Sequence, residues 1–141
     1  MEVPYIKSRT QYYPHMKPAD IEIWERFIDE NPNLYDMVEY DVPVGTTPEF
    51  LNEATPEATA GAQRLYSLKI DVVGHKAGFI DIIEIKPRAT AAAVGQVKNY
   101  ARLYKRDTGT KAHLSPVVLT DFAAIDLTDF AKTEGVGLLV A

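Results

Sequence analysis

The chain has 141 residues, a formal net charge of −5 and no cysteine. That length fits one domain with a proper core, and the lack of thiols excludes disulfides, thiolate zinc sites and iron–sulfur ligation. No apolar run reaches the ~18 residues of a membrane-spanning helix, and Met1-Glu2-Val3-Pro4-Tyr5 lacks the apolar centre of a signal peptide, so a cytoplasmic protein is expected. The negative charge argues against a broad, non-specific nucleic-acid surface but leaves room for a locally positive cleft.

Residues 1–17 have little hydrophobic periodicity, several tyrosines and three basic residues, Lys7, Arg9 and Lys17. They read as an arm, a candidate clamp for a second copy of the chain or a stacking surface for nucleic acid, with residues 18–141 as the domain proper. Lys17-Pro18-Ala19-Asp20 starts a helix, because proline is tolerated in the first turn. Asn31-Pro32-Asn33 stops it. A strand is expected over 34–44, then a loop rich in Thr, Ala, Pro and Glu over 46–63, which has room for a short helical turn. Two apolar runs, 66–73 and 79–86, flank the turn Gly74-His75-Lys76-Ala77-Gly78 and should pair as a hairpin. Pro87 should end it. An alanine-rich helix over 89–107 follows, stopped by Gly109. A buried strand over 116–120, a short helix over 126–132 and a strand over 136–140 complete the order α-β-β-β-α-β-α-β. Three hairpin-linked strands followed by strands joined through helices predict a mixed central β-sheet flanked by helices, an α/β fold.

The hairpin concentrates the chemistry. In Phe79-Ile80-Asp81-Ile82-Ile83-Glu84-Ile85-Lys86, the side chains of Glu84 and Lys86 share a face. The preceding strand carries Asp71 between Ile70 and Val72, and pairing the strands brings Asp71, Glu84 and Lys86 together. An ion pair at the end of a buried strand is costly to build for stability alone. Two hard carboxylates beside an amine suit a Mg²⁺ site, with Mn²⁺ as a substitute, that hydrolyses a phosphodiester. The competing explanation is a structural ion-pair cluster. Asp81 points to the opposite face from Glu84, towards Lys69, Arg88 or a helix terminus.

The helices add candidates. On the first helix Ile21, Ile23, Trp24, Phe27 and Ile28 form one apolar arc, with Glu25 at its edge. On the long helix Val94, Val97, Tyr100, Ala101, Leu103 and Tyr104 form another, and Gln96 falls inside it. A glutamine facing a core needs hydrogen-bond partners, which an active-site network or loop backbone would supply. Lys98, Arg102, Lys105 and Arg106 lie on the other face, as a solvated surface or a phosphate-tracking stripe. His15, His75 and His113 show no metal-ligand spacing.

These elements resemble the PD-(D/E)xK nuclease superfamily, whose motif is an acid on one strand and acid-x-Lys on the next. Here that reads Asp71, then Glu84-Ile85-Lys86, with Glu25 on the first helix and Gln96-Val97-Lys98-Asn99-Tyr100 on the helix after the motif. The resemblance covers roughly residues 20–141, and Ile70 stands where a proline often precedes the first acid. It implies a restriction-endonuclease-like fold and a small Mg²⁺-dependent nuclease acting on DNA. Asp71, Glu84 and the Ile85 carbonyl would hold the metal, and Glu25 a second ion or a water. Lys86 and Gln96 would complete the catalytic set, and Tyr100, Lys98, Arg102 and Lys105 would face the nucleic acid. By analogy, the small size suggests an accessory nuclease of phage or recombination systems, working in the host cytoplasm if phage-encoded. The alternatives are a non-catalytic structural or nucleic-acid-binding protein on the same fold, and an RNA-processing endonuclease.

Overall fold

Helix α1 (Pro18–Glu30) begins where expected, and Asp20 Oδ2 accepts a 3.3 Å hydrogen bond from the Lys17 N–H ahead of it. A computed structural model of the chain describes residues 2–4, 13, 16–46 and 68–141. The predicted 46–63 loop, apart from Thr46, and the start of the predicted hairpin lie outside the described residues. Helix α1 buries Ile23, Trp24, Phe27 and Ile28, the predicted arc, while Ile21 is only partly covered.

Six strands form one sheet in chain order, β1 (Glu2–Pro4), β2 (Met37–Val44), β3 (Leu68–Lys76), β4 (Phe79–Arg88), β5 (His113–Phe122) and β6 (Gly137–Val140). The first four are antiparallel neighbours, and β4, β5 and β6 run parallel. The α/β class and mixed sheet are those the element order predicts. Helix α2 (Ala91–Thr108) carries the chain from β4 to β5, and α3 (Ile125–Thr133) from β5 to β6. Such crossovers are what parallel neighbours require. Helix α1 covers one face of the sheet over β4 and β5, and α2 with α3 covers the other.

Several boundaries differ from expectation. Within the segment read as an arm, Glu2–Pro4 is the edge strand β1, and Tyr13 is buried edge-on to Tyr40. The β3–β4 turn is only Ala77-Gly78, since Lys76 already pairs with Phe79. Gly78 takes φ +77°, which a β-carbon would penalise. Pro87 does not end β4. The strand runs on to Arg88 beside Phe122, and Pro87, lacking an N–H, accepts from the Thr120 hydroxyl at 3.2 Å. Strand β5 is longer than 116–120 at both ends because a parallel register with β4 holds from His113 to Phe122.

Candidate active site

Strands β3 and β4 part company at the candidate acids. Their backbone ladder runs from Lys76–Phe79 to Val72–Ile83. One step further, where Asp71 faces Glu84, the Asp71 carboxylate enters the ladder, and its Oδ2 accepts the Ile85 N–H at 2.9 Å. Beyond that point β3 stays with β2, and β4 continues along β5. The sheet therefore forks at Asp71 and Glu84.

A backbone irregularity sits at the same level. Tyr40 pairs with Val72 and Val42 with Ile70. Tyr40 and Val72 belong to the core under α1, whereas Ile70 belongs to the core under α2, with Val42 packed against it. The two-residue alternation thus breaks across Asp41 and Asp71. Asp41 has φ +56°, the one non-glycine positive φ among the described residues, in a region aspartate tolerates better than most residues. Its carboxylate lies 3.7 Å from Lys69 Nζ.

The carboxylates are unlike surface acids. Glu84 is 4% exposed. Burial first, then the negative charge of Asp71 and a hydrogen bond shared with it, push the Glu84 carboxyl up to about 8, with Lys86 opposing. Asp71 is also raised, chiefly by burial, while the bond from Ile85 N–H pulls the other way. Both shifts favour the neutral acid, so the pair favours one shared proton near neutral pH. Glu84 Oε2 is buried and has no hydrogen-bond donor. The Lys86 ammonium stands 3.8 Å from Glu84 Oε1 on a half-exposed side chain.

Two helices reach this fork. From α2, Gln96 Nε2 donates to Tyr100 Oη at 2.6 Å, one turn along the helix. The phenol is raised above its ordinary range by burial, and both Glu84 and Asp71 push it further. Tyr100 is therefore a neutral donor beside the acids, its oxygen held by Gln96. From α1, the carboxylate whose charge acts on both Asp71 and Glu84 is Asp20. Glu25 lies five residues on, about 140° round the helix, and is half-buried. In the sequence Asp20 reads as part of the helix start, and nothing local marks its second role. The signal that would have found it is position, since Asp20 stands in the first turn of α1 and its charge reaches both acids.

Of the predicted site residues, Asp71, Glu84, Lys86, Gln96 and Tyr100 converge. Lys98, Arg102 and Lys105 lie elsewhere on α2. Lys98 Nζ bonds Glu134 Oε1 at 3.2 Å, and Arg102 bonds Asn99 Oδ1 at 2.9 Å. Asp81 takes none of the predicted partners and accepts instead from Tyr35 Oη at 2.6 Å. His75 Nε2 lies 2.6 Å from Glu39 Oε1 across β2 and β3.

The donor set fits a hard divalent ion. Among the described residues no three His, Cys, Asp or Glu side chains form a ready metal shell. Mg²⁺ does not need one, since it keeps several waters and binds through one or two carboxylates plus substrate phosphate. The orphaned Glu84 Oε2 and the proton shared with Asp71 are what a cation would satisfy and displace.

No family model and no curated protein sequence matches the chain. Among solved structures it is similar to a repair endonuclease from Pyrococcus abyssi, at 19% identity and a TM-score of 0.50, covering 94% of this chain and 49% of that one. It is similar also to EndoMS in complex with double-stranded DNA, at 16% identity and a TM-score of 0.50, covering 94% of this chain and 48% of that one. The chain thus spans about half the length of either. The fold is the restriction-endonuclease-like one. Among the described residues no helix is long and apolar enough to cross a membrane.

Proposed function

We propose that the chain is a Mg²⁺-dependent nuclease that hydrolyses DNA phosphodiester bonds at the β3–β4 fork. The observation that carries this reading is the Asp71–Glu84 pair, buried with an undonated oxygen on Glu84 and an ammonium 3.8 Å from its other oxygen. A structural ion pair would satisfy both carboxylate oxygens. A site built to receive a cation leaves one open. The likeness to two nuclease structures, one of them with DNA, supports the same reading.

Asp71, Glu84 and the Ile85 carbonyl would hold Mg²⁺, or Mn²⁺ in its place. When bound, the ion supplies Lewis-acid polarisation of the phosphate and a lowered pKa for bound water. Glu84 gives up the shared proton as the site loads. Lys86 orients the attacking water and offsets charge on the phosphate. The water oxygen bonds to phosphorus and gives up a proton to bulk water, one ester P–O bond breaks, and the departing oxygen takes a proton back from bulk water. Tyr100, fixed by Gln96, directs its phenol proton to the carboxylates or the phosphate. Asp20 takes the role of holding an ordered water or second ion that the resemblance gives to Glu25.

The test is cleavage of plasmid DNA, single-stranded DNA and RNA in Mg²⁺, Mn²⁺, Ca²⁺ or EDTA. Cleavage of DNA in Mg²⁺ and Mn²⁺, little in Ca²⁺ and none in EDTA is the expected result. Cleavage undiminished in EDTA, or none with any metal, overturns the reading.

A further inference from the structure

Past Lys86, the carboxyl ends of β4 and β5 present an exposed aromatic that the core does not use. The parallel register sets Glu84 beside Val118, Lys86 beside Thr120 and Arg88 beside Phe122. Val118 packs in the core under α2, so strand alternation puts Glu84, Lys86, Arg88 and Phe122 on that one face. Lys86 keeps to it, 3.8 Å from Glu84. The buried Thr120 hydroxyl ties the two strand ends together, accepting from Ala89 N–H at 3.2 Å and from Phe122 N–H at 3.3 Å. On this fixed backbone Phe122 is nevertheless 61% exposed. Two more apolar residues at the same end, Val140, which pairs with Thr120 from β6, and Ile125, three residues past Phe122, are 60% and 87% exposed. A lone exposed apolar side chain needs no explanation. Three at the end of the sheet that carries the site mark a contact surface.

A cation stands beside the ring. Arg88 and Phe122 line one cleft of about 200 Å³ together with Asp121, which belongs to the opposite pleat of β5. Arg88 is exposed. Among the described residues it has no carboxylate within ion-pair distance, whereas Lys86 faces Glu84 and Arg106 is paired with Asp107. An exposed ring beside an uncompensated cation combines the two components of a surface for an unpaired strand: the ring stacks on a base, and the cation holds the backbone. We propose that Phe122 and Arg88 form a subsite for an unpaired nucleotide next to the scissile phosphate, with Phe122 as the stacking platform and Arg88 as the phosphate contact. Two residues along the strand and one strand across separate Phe122 from Lys86, ~8 Å between backbones. That is about two nucleotides of a stacked strand at ~3.4 Å each. A base inside a duplex is stacked on both sides and offers Phe122 no free face. The substrate class is therefore DNA that is single-stranded or splayed within a few nucleotides of the cleaved bond.

The substrate class rests on the fork being the site of cleavage, so binding and cleavage are read separately. In EDTA, fluorescence anisotropy measures the affinity of the full chain for a labelled oligothymidylate and for a blunt duplex of equal length. Phe122→Ala should weaken single-strand binding by about 5- to 150-fold and leave duplex binding within about twofold, while Phe122→Trp retains the wild-type affinity. Arg88→Ala should lower the log–log salt slope for the single strand by about 0.7. Both side chains are exposed, so circular dichroism spectra and Tm should match wild type. In Mg²⁺, wild type should cut a forked duplex faster than a blunt one, and Phe122→Ala should remove that preference. No single-strand binding by wild type, wild-type single-strand affinity in Phe122→Ala, an equal loss on duplex and single strand, an unchanged salt slope in Arg88→Ala, or equal cleavage of forked and blunt duplexes by wild type overturns the proposal. Single-strand binding that depends on Phe122, without cleavage in any metal, upholds the subsite and overturns the nuclease reading instead.

Discussion

Replacing Glu84 with glutamine should change how stability depends on pH. The Glu84 carboxyl titrates near 8 in the folded chain and near 4.5 in its ordinary state. Between those values the folded chain binds a proton that the unfolded chain has released. Stability from this group is therefore complete below about pH 4.5 and is lost as pH rises towards 8. Each pH unit well inside that window is worth about 1.4 kcal/mol. From pH 5.5 to 7.5, with the upper end already bending towards the folded pKa, the loss is on the order of 2–3 kcal/mol. Asp71 is raised too and shares the proton, so the effect belongs to the pair. Urea unfolding in EDTA at the two pH values measures it. Wild type should lose on the order of 2–3 kcal/mol more than Glu84→Gln across the interval, and Glu84→Gln should be the more stable protein at pH 7.5. Addition of Mn²⁺ should restore wild type at pH 7.5 and leave the variant unchanged. Parallel pH dependences for the two proteins would refute the idea of a proton trapped between buried carboxylates.

Glu84→Ala and Lys86→Ala should each reduce metal-dependent cleavage by about 100-fold or more, with circular dichroism unchanged; full activity in both variants would remove them from the site. Asp20→Asn should slow single-turnover cleavage more than Glu25→Gln does, and the reverse order would return the first-helix role to Glu25. Tyr100→Phe keeps the ring but removes the acceptor for Gln96, so it should lower kcat by about tenfold with KM little changed; a loss confined to KM would assign the phenol to binding alone.

The fork was legible in the sequence because the local signals agreed. Alternation through Phe79 to Lys86, a glycine-bounded turn before it and a single acid, Asp71, in the first strand allow few registers, and the one adopted sets Asp71 opposite Glu84, with Asp81 on the other face. The helix faces were legible for a similar reason, since the apolar arcs of α1 and α2 are long and regular. Three features were not. Asp20 was hidden because a first-turn aspartate has an adequate capping role, and only tertiary placement gives it a second. The phase break at Asp41 was hidden because Asp41 lies inside a run that reads as continuous strand, with no glycine beside it to mark a positive φ. Strand β1 was hidden because three residues are too few to show alternation, and its pairing with β2 is the long-range contact that defines it.

The central claim is that the Asp71–Glu84 pair is a cation site, not a structural ion pair. Titration calorimetry of Mn²⁺ in two buffers of different ionisation enthalpy tests it directly. At pH 7, wild type should bind Mn²⁺ and release about one proton per ion, because the cation displaces the proton the carboxylates share. Glu84→Gln should bind far more weakly with no proton release, and Asp71→Asn should not match wild type. Equal Mn²⁺ binding by wild type and Asp71→Asn, or wild-type binding with no proton released at pH 7, would contradict it.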